Sequence, residues 1–250
     1  MLSMFQLCKE LLNLDLSNFN TKNVTNMRCV FCKNSKLKKI IGINKFITDN
    51  VEDMSGMFVD CNELEYLDLS NYNKENVTNM DNIFCGCEQL KEIKGINNFN
   101  TKNVISMYSM FHACFQLKDL DLSKFDTSNV VNMRNMFREC YNLEQIIGIN
   151  NFNTNKVTDM ASMFQECKEL KSLDLFKFKT ENVTDMKNMF YRCIKLKEIK
   201  GINNFITYKV ISMNSMFQEC KELEQLDLSN FNISNVNNME NMFSGCSKLY

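Results

Sequence analysis

The feature that most constrains this chain is a repeat that runs from one end to the other. Methionines open successive units at Met1, Met27, Met54, Met80, Met107, Met133, Met160, Met186, Met213 and Met239, with spacings that alternate 26 and 27 residues. The true period is therefore a 53-residue pair, copied without slippage. One unit reads Met54-x-x-Met57-Phe58-x-x-Cys61-x-x-Leu64-x-x-Leu67-x-Leu69-x-x-Tyr72-x4-Val77. The longer unit inserts a residue and replaces Leu-Asp-Leu with strings such as Ile93-Lys94-Gly95-Ile96. Gly42, Gly95, Gly148 and Gly201 mark the insertion, and a glycine beside an inserted residue in a strand reads as a bulge. A module this short cannot bury both its faces, so repeats of this kind are stable only when stacked. Nine full units and the start of a tenth make one repeat domain over 1–250, with no linker between them.

Within a unit, Leu64-x-x-Leu67-Asp68-Leu69 alternates at its end, which is the strand period. Val77-x-x-Met80-x-x-Ile83-Phe84-x-x-Cys87 has apolar residues three or four apart, which predicts a short helix with one buried face. Asn76, Asn129 and Asn182 stand where they would cap such helices. The expected fold is α/β: a leucine-rich-repeat-like solenoid with one short parallel strand and one short helix per 26/27-residue repeat. The strands would form a single parallel sheet, spaced about 4.8 Å, on the inside of a curved stack.

The string Leu120-Asp-Leu-Ser-Lys-Phe-Asp-Thr-Ser-Asn-Val130, followed by Met133, Met136, Phe137 and Cys140, resembles the repeat of BspA-like leucine-rich-repeat surface proteins. The resemblance covers the whole chain. It implies a solenoid that is exported and displayed at a cell surface, with adhesion or binding of host or matrix molecules as its role, and it brings no catalytic residues. The second unit departs from the pattern: Asn34 holds the cysteine position, and Cys29 and Cys32 lie out of register.

Composition excludes several functions. Twenty-nine basic against thirty acidic residues leave a net charge of −1, without the single-signed field that nucleic acid or an anionic membrane requires. A single histidine removes multi-histidine metal sites and most histidine-based catalysis. No phosphate-binding glycine motif occurs, and no nucleophile recurs with a matching base, so the chain reads as no enzyme, with no cofactor and no metal site. Nine of the twelve cysteines occupy one repeat position, where they read as small buried apolar residues. Twelve thiols suit a reducing compartment, which pulls against surface display. His112 reads as a solvated residue on the polar helix face. The Met and Phe columns read as core, with Phe99, Phe125, Phe152 and Phe178 as a second stacked file. The Asn-rich turns admit a buried amide ladder, ordinary turn chemistry, or both.

Function is sought on the strand residues that point outward. Tyr66, Asp68, Lys94, Asp121, Asp174, Phe176, Lys200 and Asp227 form the candidate concave surface, with a protein or glycan as the partner. A charge-compensated, solvated face made by Asp–Lys pairing is the competing reading. The alternative function is a structural spacer or an intracellular scaffold. No apolar run is long enough to span a bilayer, no signal peptide is visible, and neither end shows a polar cap. The expectation is a fragment of a longer, surface-displayed protein, with its anchoring signals elsewhere.

Overall fold

The computed structural model describes residues 1–72 and 76–250. It is a solenoid of short parallel strands, as the repeat requires. β1 (Asn13–Asp15), β2 (Lys39–Ile41), β3 (Tyr66–Asp68), β4 (Glu92–Lys94), β5 (Asp119–Asp121), β6 (Gln145–Ile147), β7 (Ser172–Asp174) and β8 (Glu198–Lys200) each hold three residues. The alternation works as read: Leu67 and Leu69 are buried while Tyr66 faces out. The single expected sheet is replaced by four parallel pairs, β1–β2, β3–β4, β5–β6 and β7–β8. Each pair joins a 26-residue unit to the 27-residue unit after it, so the 53-residue sequence period is the structural period. The break follows the inserted glycine. Gly42, Gly95, Gly148 and Gly201 have φ of 80 to 85° and end the longer unit's strand. Each opens a 3-10 turn, at Ile43–Lys45, Ile96–Asn98, Ile149–Asn151 and Ile202–Asn204. The glycine thus terminates pairing instead of bulging within it.

The helical part of the expectation needs correction. Val77–Cys87 holds a β-bridge at Asn79 followed by a run of turns over 81–86, and among the described residues the helical elements are these 3-10 turns. Ile83, Cys85 and Cys87 donate their amides three residues back, to Met80, Asn82 and Phe84. The alternate amides, of Asn82, Phe84 and Gly86, donate instead to Tyr108, Met110 and His112 in the next coil, at 2.8–3.0 Å. An α-helix would keep those bonds to itself. Two residues per coil, such as Asn82 and Gly86 or Asn135 and Glu139, have positive φ, which the third position of such a turn requires. Successive three-residue turns repeat the apolar spacing of a helix, so periodicity alone does not separate the two. The proposed caps Asn76, Asn129 and Asn182 instead donate to carbonyls of the preceding coil, on Asp49, Lys102 and Asn155.

A second ladder carries the stack across the gaps between strand pairs. Asn26, Asp53, Asn79, Ser106, Asn132, Asp159, Asp185, Ser212 and Asn238 form one unbroken file of parallel bridges. The residues that follow them from Met27 to Met213, including Met80, Met107 and Met133, are buried, whereas Met239 at the last coil is exposed. Beneath them, Phe5, Phe31, Phe58, Phe84, Phe111, Phe137, Phe164, Phe190, Phe217 and Phe243 stack with ring centroids 5.4–5.8 Å apart. The second aromatic file is looser, and buried except at Phe231, which is half-buried. Its stacked pairs are Tyr72–Phe99, Phe152–Phe178 and Phe205–Phe231, at 6.1–6.5 Å.

Two polar columns hold the coils in register. All twelve cysteines are free, and Cys61, Cys87, Cys114, Cys140, Cys167, Cys193 and Cys220 are buried. Each of these seven thiols donates to a phenylalanine carbonyl in the preceding coil, at 3.0–3.2 Å. Asn34, in the same column, does the same through Nδ2 to the carbonyl of Phe5. The buried ladder at the turns is threonine, not asparagine. The Thr154 hydroxyl donates to the Lys179 carbonyl at 2.9 Å and accepts from the Lys179 amide at 2.7 Å. Thr127 with Asn153, Thr180 with Ile206, and Thr207 with Asn232 repeat this reciprocal pair. Thr154→Val keeps the volume and strands both backbone groups of Lys179. It should cost about 2 kcal/mol in urea unfolding, and Thr154→Ser should recover most of it.

Candidate functional site

The outward side chains of β3–β8 lie on one face in the expected order, and register fixes their neighbours. Tyr66 stands beside Glu92 and Asp68 beside Lys94. Asp121 stands beside Ile147, and Asp174 beside Lys200. Asp227 continues the file past the last strand. The charge pairing is only partly as expected. Lys94 Nζ lies 3.1 Å from Asp68 Oδ2, whereas Lys200 Nζ lies 3.8 Å from Glu198 and does not pair with Asp174.

The aspartates have a local task that the sequence reading passed over. Each Oδ1 accepts the amide two residues on: Ser70 for Asp68, Ser123 for Asp121, Phe176 for Asp174, and Ser229 for Asp227. Asp15 does the same with Ser17. These carboxylates close the turn that leaves each strand. Hydrogen bonds from Ser70, with Lys94 adding to them, hold the Asp68 carboxyl below the usual range, and Ser123 does so for Asp121. The recurring Asp-x-Ser spacing was the available signal.

What projects to solvent is more varied. Between β4 and β5, where pairing stops, the face opens into a hollow of about 770 Å³. Lys94, Asn97, Gln116, Lys118 and Asp121 line it, over a floor that includes Ile93 and Leu120. Asn97 Nδ2 donates to Asp121 Oδ2 across it, at 3.1 Å. Sequence reasoning placed Lys94 and Asp121 on this face but missed Asn97, Gln116 and Lys118, because a gap between strand pairs leaves no mark in composition or period. Farther along, Phe176 is 67% exposed, and Tyr66 is 46% exposed. Phe176 stands between two shallower hollows, one bordered by Phe152 and Asn153 and the other by Asn203 and Asn230. Such a face offers an aromatic contact and a polar, amide-rich cleft.

His112 is not the solvated residue expected. It is half-buried, with Nδ1 3.6 Å from Cys85 Sγ and Nε2 3.7 Å from Glu139. Among the described residues no set of three His, Cys, Asp or Glu side chains is placed to hold a metal ion, and no helix is long and apolar enough to cross a membrane.

The chain is similar in fold to a leucine rich cell surface protein of Faecalibacterium prausnitzii, with a TM-score of 0.53 and 17% identity over 100% of this chain and 74% of that one. It is likewise similar in fold to a leucine-rich repeat protein of Bacteroides ovatus, with a TM-score of 0.51 and 18% identity over 100% of this chain and 68% of that one. Likeness at this identity shows the leucine-rich-repeat fold. Among curated proteins nothing matches. The family described as "Mycoplasma protein of unknown function, DUF285" matches residues 1–118, 60–173, 87–195 and 165–250. These overlapping matches take in every repeat, and the chain therefore belongs to that family.

Proposed function

We infer that this is a non-enzymatic recognition domain that holds a protein or glycan partner on the outward face of its strands. The observation that carries the reading is the exposed Phe176, set beside hollows lined by amides and lysines on a mainly polar face that also exposes Tyr66 and Ile147. An aromatic ring in such a setting is the residue type that anchors interfaces. Cell-surface display and an adhesive role, as in BspA-like proteins, are part of the proposal. They are supported by the repeat motif and by the description of the Faecalibacterium prausnitzii protein. The alternative is a spacer, in which the repeats set length and other segments bind.

The test is a binding screen of the purified chain against immobilised glycans and extracellular-matrix proteins, repeated with variants of the face. Phe176→Ser restores the serine that neighbouring units carry at this position, so it should leave unfolding unchanged and weaken binding at least tenfold. Lys94→Ala and Lys118→Ala should each weaken it severalfold. Asp121 should be tested as Asp121→Asn, which keeps the turn acceptor, since an alanine there also loses the turn. Saturable binding to no probe, or binding that Phe176→Ser leaves intact, would favour the spacer.

A further inference from the structure

The second coil departs from the others in its cysteines. The usual position holds Asn34, and the coil instead carries Cys29 and Cys32, a pairing that no other coil repeats. The Cys32 amide donates to the Cys29 carbonyl at 3.2 Å, so the two cysteines are the first and last residues of one turn. The ends of such a turn lie within about 7 Å, and a disulfide needs α-carbons about 4.4–6.8 Å apart. The side chains converge as well. Both line one hollow of about 250 Å³, with Arg28, Ser55, Gly56, Val59 and Asn82, and the Cys29 thiol is close enough to hydrogen-bond with that of Cys32. Gly56 makes the room. Every other coil has a side chain at this position, and a β-carbon here would lie 3.2 Å from Cys29 Sγ. Cys29 is half-buried and Cys32 buried, so one thiol of the pair is open to attack and the other is sheltered.

We propose that Cys29 and Cys32 are a thiol–disulfide exchange site, closed to a disulfide within one turn by low-molecular-mass disulfides. Cys29 is the attacking residue. Its thiolate displaces one thiolate from the incoming disulfide, which takes up the proton that Cys29 lost, and a mixed disulfide remains on Cys29. Cys32 sulfur then attacks Cys29 Sγ and expels the second thiolate, which takes up the Cys32 proton. Two protein thiols are thus oxidised by two electrons, and the incoming disulfide is reduced to two thiols. The electrostatics suit this order. Burial, with the Cys29 thiol and Asp60 adding to it, pushes the Cys32 thiol up to about 11, so Cys32 keeps its proton until a mixed disulfide stands beside it. The seven buried thiols do not compete, since each is spent on a carbonyl of the preceding coil.

Glutathione disulfide is the probe, incubated with the full folded chain carrying Cys8→Ser, which removes the exposed thiol. Trypsin, cutting after Arg28 and Lys33, releases the segment 29–33 for mass spectrometry. That segment should lose two hydrogens, with the closed form exceeding the glutathione adduct at least about tenfold, because closure is intramolecular. Cys32→Val should stop the reaction at the glutathione adduct on Cys29, and Cys29→Ser should leave Cys32 unmodified. Ser109 and Val59 stand in the same two columns, so both variants fit the fold, and unchanged thermal unfolding checks this. A segment that stays reduced, one that accumulates as the adduct although Cys32 is present, or a disulfide from either cysteine to a third would overturn the proposal.

Discussion

Raising the pH from 8 to 10 under reducing conditions is expected to unfold this solenoid far more steeply than its surface ion pairs would predict. Cys61, Cys87, Cys114, Cys140, Cys167, Cys193 and Cys220 are held in their protonated form, because burial pushes each thiol far above its ordinary value of 9.0. In the unfolded chain the same thiols ionise near that ordinary value. A group that keeps its proton only when folded stabilises the fold fully below the unfolded pKa and loses that contribution as the pH climbs toward the folded one. Each thiol then removes about 1.4 kcal/mol per pH unit above 9. Seven together remove on the order of 10 kcal/mol per pH unit for unfolding of the whole array. Urea denaturation followed by circular dichroism at pH 8, 9 and 10 measures the slope. A Cys114→Ala, Cys140→Ala variant starts less stable but should lose about 3 kcal/mol less per pH unit than the wild type. Equal slopes in the two proteins would show that the buried thiols are not the cause.

That column illustrates what the sequence makes legible. The repeat, its stacking, the inward Leu67 and Leu69, and the burial of the Cys, Met and Phe columns follow from periodicity, because in a stack like side chains meet like. Periodicity fails where two geometries share a spacing. Met80, Ile83, Phe84 and Cys87 suit a helix and suit successive turns equally, and only the positive φ at Asn82 and Gly86 separates them. Asn at 82 and Gly at 86 hinted at it, but Glu139 and Arg192 hold the same conformation without the usual residue type. On the candidate face, alternation placed the outward residues correctly. Register alone does not set their ion pairs: Lys94 meets Asp68, while Lys200, in the same register beside Asp174, turns to Glu198. The hollow between β4 and β5 and the meeting of Cys85 with His112 arise from particular residues in adjacent coils, which a repeat consensus averages away.

The interruption of the sheet makes its own prediction. Gly148→Ala should destabilise the array by at least about 3 kcal/mol. The residue has φ of 85°, where an L side chain costs about 1–2 kcal/mol. Steric contact adds more. A β-carbon at Gly148 would lie 2.3 Å from Ser123 Cα and 2.6 Å from Ser123 N, so backbone would have to move. The movement would pull at the adjoining bond from the Leu122 amide to the Ile147 carbonyl, now 2.9 Å. It would also strike the Asp121–Ser123 turn that borders the candidate face. Gly245→Ala provides the contrast. Its φ is 79°, but its β-carbon would meet first the carboxylate end of Glu219, a side chain able to swing away. Thermal and urea unfolding should therefore rank Gly148→Ala well below Gly245→Ala in stability. Hydrogen exchange should place the excess loss in the β5–β6 pair. If the two substitutions cost the same, left-handed backbone strain alone governs these glycines, and the close approach between the units of a pair contributes nothing.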